Sequence, residues 1–374
     1  MVFEKADTRY VSLMVTHSCN LQCTYCYEKH KDGGIIDIEK AKHYLSDIYR
    51  ETRAISKFKA IEFSFMGGEP LLEFDTIKSL SEWIWSQSWD IPYIIFVSTN
   101  GTLLNEVRQK WFKKNKDRIV LGISVDGSTK SQSTNRGRTA ACVDLDFFIK
   151  TWPEQGIKCT ISRETLPNLA EDIKWLHMRG FNKIYANLAF GLDWQNEDLT
   201  VYIDQLHLLS DFYIRNPHIQ RCSLLDIDLP TAFDFSGSPS KYCGCGEGTL
   251  LIDIDGARYP CPVFSPISMT KEQLDGIQEI DFSQAKDFVN EKCQSCVLHK
   301  TCPKCYATNY LLTSQISKQP SFLCKAFKLQ FIANCELHER LIQEGQEELT
   351  EQLSTALDFT YTVLSNNQIN ERLF

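Results

Sequence analysis

Short apolar runs alternate with amphipathic stretches through the first 215 residues of this 374-residue chain. Val11–Val15, Ile61–Phe65, Tyr93–Val97, Ile119–Val125, Ile157–Ile161 and Lys183–Phe190 read as strands, being brief, β-branched or aromatic and bounded by turn residues. Between them the apolar period lengthens to that of a helix. Helices are expected near Asp37–Ala54, where Asp37 is placed to cap, and over Asp75–Ser86, with Trp83 on the apolar stripe. Further helices are expected over Asn105–Lys114, Cys142–Thr151, Asn168–Met178 (ending at Gly180) and Glu197–Arg215. The stretch from Gly127 to Thr139 is polar and reads as a loop. Six βα units in series predict a parallel sheet, because parallel neighbours need a helical crossover. Six are too few to close an eight-stranded barrel, so the fold expected is α/β, a partial (β/α)6 TIM-like barrel.

The pattern then breaks. Asn216-Pro, Leu229-Pro and Ser236-Gly-Ser-Pro-Ser read as linker, and a hairpin over Thr249–Pro260 turns at Asp255-Gly256. A helix is expected from about Phe322 to Glu348, and the last 25 or so residues carry a weak amphipathic signal. No repeat or low-complexity tract is present. The division expected is a barrel over 1–225, a small cysteine-rich domain with a hairpin and helices over 226–345, and a helical tail over 346–374.

Composition narrows the setting. Hydrophobic content of 43%, charge of 24% and a net charge of −8 describe a globular chain without a nucleic-acid footprint. No apolar run reaches membrane-spanning length and the N-terminus lacks the form of a signal peptide, so no membrane partner and a cytoplasmic location are expected. Fifteen cysteines in such a setting argue for metal or catalysis over disulfides. Three fall within Cys19–Cys26 and eight within Cys243–Cys324. Cys142, Cys159, Cys222 and Cys335 are scattered and read as small buried hydrophobes.

The first group lies in Thr16-His-Ser-Cys-Asn-Leu-Gln-Cys-Thr-Tyr-Cys-Tyr27, directly after the first strand. Three thiols on one loop grip three irons of a [4Fe–4S] cube and leave the fourth open. A structural zinc loop or buried core thiols would satisfy the triplet alone. The C-x3-C-x-Tyr-C spacing at Cys19, Cys23 and Cys26 resembles that of radical S-adenosylmethionine (SAM) enzymes. In that family the open iron binds SAM, which is cleaved to a 5′-deoxyadenosyl radical. The second strand ends in Met66-Gly-Gly-Glu-Pro70. By the same resemblance Gly67, Gly68, Glu69 and Pro70 hold the methionine amine of SAM, although they also make good turn chemistry. Ser98 and Asn100, in Ser98-Thr-Asn-Gly101, resemble a turn near the cofactor, and Ser124 falls at its ribose or carboxylate. Leu188 and Ala189 fall at its adenine, and Tyr25 is the aromatic beside the cluster. Each of these positions equally suits an ordinary strand end or core.

The second group, Cys243, Cys245, Cys261, Cys293, Cys296, Cys302, Cys305 and Cys324, resembles the SPASM domain, a C-terminal extension of radical enzymes that act on peptides. The resemblance implies two auxiliary [4Fe–4S] clusters, three in all. One would take Cys243, Cys245, Cys261 and Cys305, the other Cys293, Cys296, Cys302 and Cys324. Paired C-x2-C knuckles also suit zinc. Two residues separate Cys302 from Cys305 where the family more often has three, and Cys243 or Cys245 could be a spare. Asp126 and Arg136 are candidates to face substrate; a turn cap and a solvated loop charge are the plain alternatives.

The function implied is maturation of a ribosomally made peptide, with a Cys thioether crosslink ahead of formylglycine formation. The sulfatase-maturating subfamily keeps an Asp after its Tyr-Pro-Cys turn, and here Tyr259-Pro-Cys261 is followed by Pro262. A non-catalytic iron–sulfur electron carrier or a zinc scaffold are the non-enzyme readings. Expected partners are a precursor peptide and an electron donor such as flavodoxin or ferredoxin. Only about ten residues precede the first strand, without the winged-helix module many such maturases carry. Leader recognition is therefore expected from the barrel mouth, the tail or a separate leader-binding protein.

Overall fold

The structure is a computed structural model that describes residues 7–138, 143–232, 241–294, 296 and 298–365. The chain forms two compact units: Met1–Val125 with Gln132–Ile157 and Gly244–Ser283, and Asp126–Ser131 with Lys158–Cys243 and Gln284–Phe374.

In the first unit β1 (Thr8–Thr16), α1 (Ile38–Ala54), β2 (Ala60–Gly67), α2 (Phe74–Ser86), β3 (Tyr93–Thr99), α3 (Glu106–Lys114) and β4 (Ile119–Ile123) follow the expected alternation. All three strand pairs are parallel. β1 is apolar on both faces, with Val11, Leu13, Met14 and Val15 at most 1% exposed, as a central parallel strand requires. Asp37 caps α1 by accepting from the Lys40 N–H at 2.9 Å, and Asn105 caps α3 through the Arg108 N–H. The buried face of α1 is Ala41, Leu45, Ile48, Tyr49 and Thr52, a helical stripe. Trp83 sits at the margin of α2, edge-on to Trp89.

Three features differ from expectation. The polar stretch after β4 contains a helix, α4 (Thr129–Arg136), before α5 (Leu145–Thr151), which Asp144 caps. Its sequence, Thr-Lys-Ser-Gln-Ser-Thr-Asn-Arg, has no apolar stripe for a periodicity argument to find. The strands also do not form one ladder of six: β5 (Ile157–Ile161) and β6 (Ile184–Leu188), with α6 (Leu169–Met178) between them, pair only with each other. Lastly, the hairpin β7 (Thr249–Ile252) and β8 (Arg258–Tyr259) joins the main sheet. β7 lies parallel to β1, giving the order β4-β3-β2-β1-β7-β8. The turn itself is as expected, with Gly256 at φ +90°.

In the second unit α7 (Asn196–Arg215) is followed by a short α8 (Leu229–Ala232) inside the expected linker; residues 233–240 of that linker lie outside the described residues. Short helices α9 (Lys271–Ile277, in the first unit) and α10 (Glu291–Gln294) precede α11 (Tyr306–Thr313), α12 (Ser321–Gln343) and α13 (Glu351–Ser365). The weak signal of the tail is therefore a real helix over four turns. Its Leu353, Ala356, Leu357 and Thr360 face inward, the first three in one core with Phe327, Phe331 and Cys335 of α12. Cys159, Cys222 and Cys335 are at most 1% exposed, as expected of core thiols, while Cys142 lies outside the described residues.

Candidate active site

Leaving β1, the chain runs into the cysteine loop at the ends of the parallel strands, where loops carry chemistry in such folds. Cys19, Cys23 and Cys26 are half-buried there and form no disulfide. Local bonds shape the loop: Leu21 N–H lies 3.5 Å from Cys19 Sγ, and Cys26 N–H donates to Cys23 O at 3.1 Å. Thr24 N–H donates to Asn135 O at 2.8 Å, and the Arg136 guanidinium stands 5.5 Å from the centre of the Tyr25 ring. The unforeseen helix α4 thus ends against this loop. Arg136 is 8% exposed, so it is no solvated charge.

Gly67 and Gly68 bring the end of β2 onto the same loop. A Cβ at Gly67 would stand 2.4 Å from Thr16 O, and one at Gly68 2.5 Å from Ser18 O and 2.8 Å from Cys19 Cβ. Both glycines are required by contact between chain segments, before any ligand is considered. Gly68 N–H donates to Thr16 O at 3.2 Å and Glu69 N–H to Ser18 O at 2.8 Å.

Glu69 is 1% exposed. Its Oε1 accepts from Leu71 N–H at 3.0 Å and Thr99 Oγ1–H at 2.7 Å, and its Oε2 from Asn100 N–H at 2.7 Å. Burial raises the pKa of this carboxyl; the three donors and the charge of Arg136 pull the other way. Glu69 also caps the short turn opened by Pro70. Asn100 donates from Nδ2 to Asn20 Oδ1 at 2.9 Å, and Asn20 donates from Nδ2 to Thr102 Oγ1 at 2.8 Å. Ser124 N–H donates to Thr99 O at 3.2 Å, and Ser98 pairs with Gly122 across β3 and β4. Cys19, Cys23, Cys26, Tyr25, Gly67, Gly68, Glu69, Pro70, Ser98, Asn100, Ser124 and Arg136 all belong to the first unit.

Asp126 and Leu188 belong to the second unit. Asp126, 2% exposed, accepts from Thr160 N–H at 3.0 Å at the end of β5, as a buried turn residue does. Leu188, 7% exposed, lines a cavity of about 650 Å³ with Ala186, Asn187, Leu323 and Phe327.

Three residues around the cysteine loop, His17, Lys31 and Glu28, were not singled out from the sequence. His17 is 3% exposed and lies between Asp32 (Nδ1···Oδ1 2.7 Å) and Asp253 (Nε2···Oδ1 2.8 Å). Burial disfavours its charge, yet the two carboxylates prevail and hold its pKa above the ordinary value. Lys31 Nζ lies 3.3 Å from Cys26 Sγ and donates to Glu28 O at 2.7 Å. Burial opposes its charge as well, but Cys26 and Glu28 outweigh it and raise its pKa. Glu28, with a side chain 9% exposed, is pushed up to about 7 by burial despite Lys31. Burial likewise pushes the Cys19 thiol up. A bound metal reverses that preference, since it takes the thiolate. The donor set therefore suits an iron–sulfur cube: three thiols on one braced loop, with an ammonium against one of them.

Of the second cysteine group, Cys245 and Cys261 lie in the first unit and the other six in the second. Gly246 N–H donates to Pro260 O at 2.9 Å, setting the Cys245 segment beside Cys261. Cys305 precedes α11 and accepts from Thr308 Oγ1–H at 3.1 Å. Cys293, Cys296, Cys302 and Cys324 are near enough that each of Cys293, Cys302 and Cys324 feels charge on other members of the set. Burial pushes Cys302 up to about 12. Among the described residues no three His, Cys, Asp or Glu side chains are set to hold a single metal ion. Thiols of a cube each hold a different iron and stand further apart than the ligands of one ion. Within the same stretch of chain His299 Nδ1 is buried without a hydrogen-bond partner among the described residues, and Lys304 is 5% exposed.

The family model of the radical SAM superfamily matches residues 13–161, from β1 to the end of β5. The chain carries a radical SAM domain. The radical SAM superfamily uses SAM and a [4Fe–4S] cluster. The chain is similar to a cysteine-type anaerobic sulfatase-maturating enzyme of Clostridium novyi, at 22% identity over 361 residues that cover 85% of this chain and 92% of that protein. Its fold is similar to that of anSMEcpe with bound AdoMet and Cp18Cys peptide, with TM-score 0.65, 22% identity, and 89% and 98% of the two chains covered. It is also similar to Streptococcus suis SuiB bound to precursor peptide SuiA, with TM-score 0.55, 18% identity, and 85% and 76% covered. Among the described residues of this radical SAM protein no helix is long and apolar enough to cross a membrane.

Proposed function

We propose that this chain is a radical SAM enzyme, a peptide maturase that installs a crosslink, a Cys thioether, in a ribosomally synthesised precursor. The observation that carries the reading is the wiring of three strand ends into one site through Glu69, whose carboxylate holds the Thr99–Asn100 turn while its N–H and the two glycines before it seat the cysteine loop. In this reading Cys19, Cys23 and Cys26 hold the first [4Fe–4S] cluster. Gly67, Gly68, Ser98, Asn100 and Ser124 line the SAM site. When bound, the cluster and SAM supply a carbon radical that abstracts hydrogen.

The chain's own residues orient and enclose. Glu69, Asn100 and Asn20 fix the turn, while Arg136 and Tyr25 cover the loop. Cys293, Cys296, Cys302 and Cys324 hold one auxiliary cluster of a SPASM domain. On the peptide, one C–H and one S–H would be exchanged for one C–S bond: SAM when bound would supply the acceptor for one hydrogen atom, an auxiliary cluster would accept the other electron, and the thiol proton would pass to solvent. The protein works in the cytoplasm with a flavodoxin- or ferredoxin-like electron donor, and with a separate leader-binding protein where the precursor needs one.

Formylglycine formation is the second reading, favoured by the similarity along 361 residues to the sulfatase-maturating enzyme. Pro262 after Cys261, where that subfamily keeps its acid, weighs against it. Co-expression with a precursor peptide tests both: the first expects loss of two hydrogens per crosslink and protected cysteines, whereas an unchanged mass overturns it. Anaerobic reconstitution should give about twelve irons per chain for three cubes. Cys23→Ala should abolish reductive cleavage of SAM.

A further inference from the structure

Lys304 is one of the two residues between Cys302 and Cys305, and it is 5% exposed. A lysine so buried is rare unless its charge has partners. Its ammonium donates to His299 O at 2.6 Å and lies 3.5 Å from Cys302 O, both on the loop from Cys296 to Cys302. No carboxylate is among these contacts. Two neutral carbonyls orient the ammonium without neutralising it. Through the Cys302 carbonyl and its place in the chain between Cys302 and Cys305, Lys304 is seated directly beside a proposed ligand of the auxiliary cluster. The Cys302 Sγ–H donates to Gln319 Oε1 at 3.4 Å, and Gln319 Nε2 donates to Pro303 O at 3.5 Å.

We infer that Lys304 is a fixed buried cation that sets the reduction potential of the cluster held by Cys293, Cys296, Cys302 and Cys324, raising it. The inference rests on the ligand assignment proposed above. Reduction adds one electron to a group already ringed by four thiolates. A neighbouring positive charge therefore favours the reduced state, and net charge and local polarity are the protein's main controls over such potentials. At the screening found in partly buried sites, one unit charge several ångströms away shifts such an equilibrium roughly tenfold. For one electron that is about 59 mV. A lysine with no redox role would serve only as a clamp on the loop, and the two roles separate by substitution.

The test is an anaerobic redox titration of the reconstituted full chain, followed by electron paramagnetic resonance, for wild type, K304R and K304M. The signal of this cluster is identified as the one lost in the Cys293→Ser, Cys296→Ser double variant. K304M should lower its midpoint by about the amount above, with K304R close to wild type. The iron-free proteins report the clamp: amide exchange over 296–302 should quicken in K304M. If K304M fails to fold, K304Q, which keeps donors for the two carbonyls without the charge, replaces it. A signal present with an unmoved midpoint overturns the role of Lys304 alone. No signal assignable to these cysteines overturns the ligand reading and the inference with it.

Discussion

His17 and Asp253, 236 residues apart in sequence, meet at 2.8 Å (Nε2···Oδ1) with both side chains buried. The contact ties the root of the cysteine loop to the hairpin that extends the sheet. Tyr44 adds a second tie, its hydroxyl donating to Asp255 O at 3.0 Å. Ile254 closes the gap: a Cβ at Gly34 would stand 2.3 Å from its Cδ1. The hairpin is thus a buttress for the loop between β1 and α1.

The two carboxylates on His17 should differ in weight. Asp253 has a side chain 3% exposed, and Asp32 one 68% exposed. Removing a partner of a buried charged hydrogen bond costs about 1.5–3 kcal/mol, whereas an exposed pair is worth under about 1 kcal/mol. Asp253→Ala should therefore lower urea stability by about 2 kcal/mol more than background surface changes, and Asp32→Ala by well under half of that. Equal losses would mean that the hairpin contact is not what holds the loop.

Much of this arrangement was legible beforehand, and the gaps have physical causes. The strands and the caps at Asp37 and Asn105 are local, so apolar period and side-chain chemistry reveal them. The thiol triplet and Gly67-Gly68-Glu69 announce themselves by spacing. The parallel pairing of β7 with β1 joins segments more than 230 residues apart, and no local pattern encodes it. Helix α4 is held by buried polar residues, Gln132 and Asn135 among them, so it has no apolar stripe. His17 and Asn20 lie inside the cysteine stretch itself, yet their partners Asp253 and Asn100 are far along the chain. Lys304 and His299 hid in the spacers between thiols, where only burial marks them out.

Glu69 should tolerate no neutral substitute. All three of its carboxylate hydrogen bonds bring donors. An amide at this position would turn its NH2 toward Asn100 N–H or toward Leu71 N–H and Thr99. Glu69→Gln should cost roughly 1–3 kcal/mol for the unsatisfied buried groups. It should also weaken SAM binding at least tenfold, by releasing the Asn100 turn. Calorimetric titration of SAM into reconstituted protein measures the second effect, and amide exchange at Asn100 the first cause. Unchanged exchange with weakened binding would show Glu69 acting on the cofactor directly.

Gly68→Ala should separate the sheet from the loop. The added methyl meets Ser18 O and Cys19 Cβ, so either β2 or the cysteine loop must move. Overpacking of this kind costs about 1–3 kcal/mol. Far-ultraviolet dichroism should stay near wild type while the iron bound by a variant lacking the second cysteine group falls well below four per chain. Full iron loading in that variant would show the approach of Gly68 to be dispensable.

Stability of the second unit should fall in mild acid through His177. Its Nδ1–H donates to Phe181 O at 2.9 Å and its Nε2 accepts from the Tyr213 hydroxyl at 2.9 Å, so the bonded form is the neutral ring. The Tyr213 oxygen in turn accepts from Cys222 N–H at 2.9 Å. Burial holds the imidazole pKa below its ordinary 6.5, with the Phe181 carbonyl opposing. The folded pKa is thus the lower of the two, and the unfolded chain takes up the proton first. The contribution is complete above pH 6.5 and is lost as pH falls from there toward the folded value, with a slope no steeper than about 1.4 kcal/mol per pH unit. His177→Gln, less stable at neutral pH for its poorer fit, should show a shallower decline between pH 6.5 and 5.5 in urea unfolding. A decline as steep as that of wild type would assign the acid sensitivity to another group.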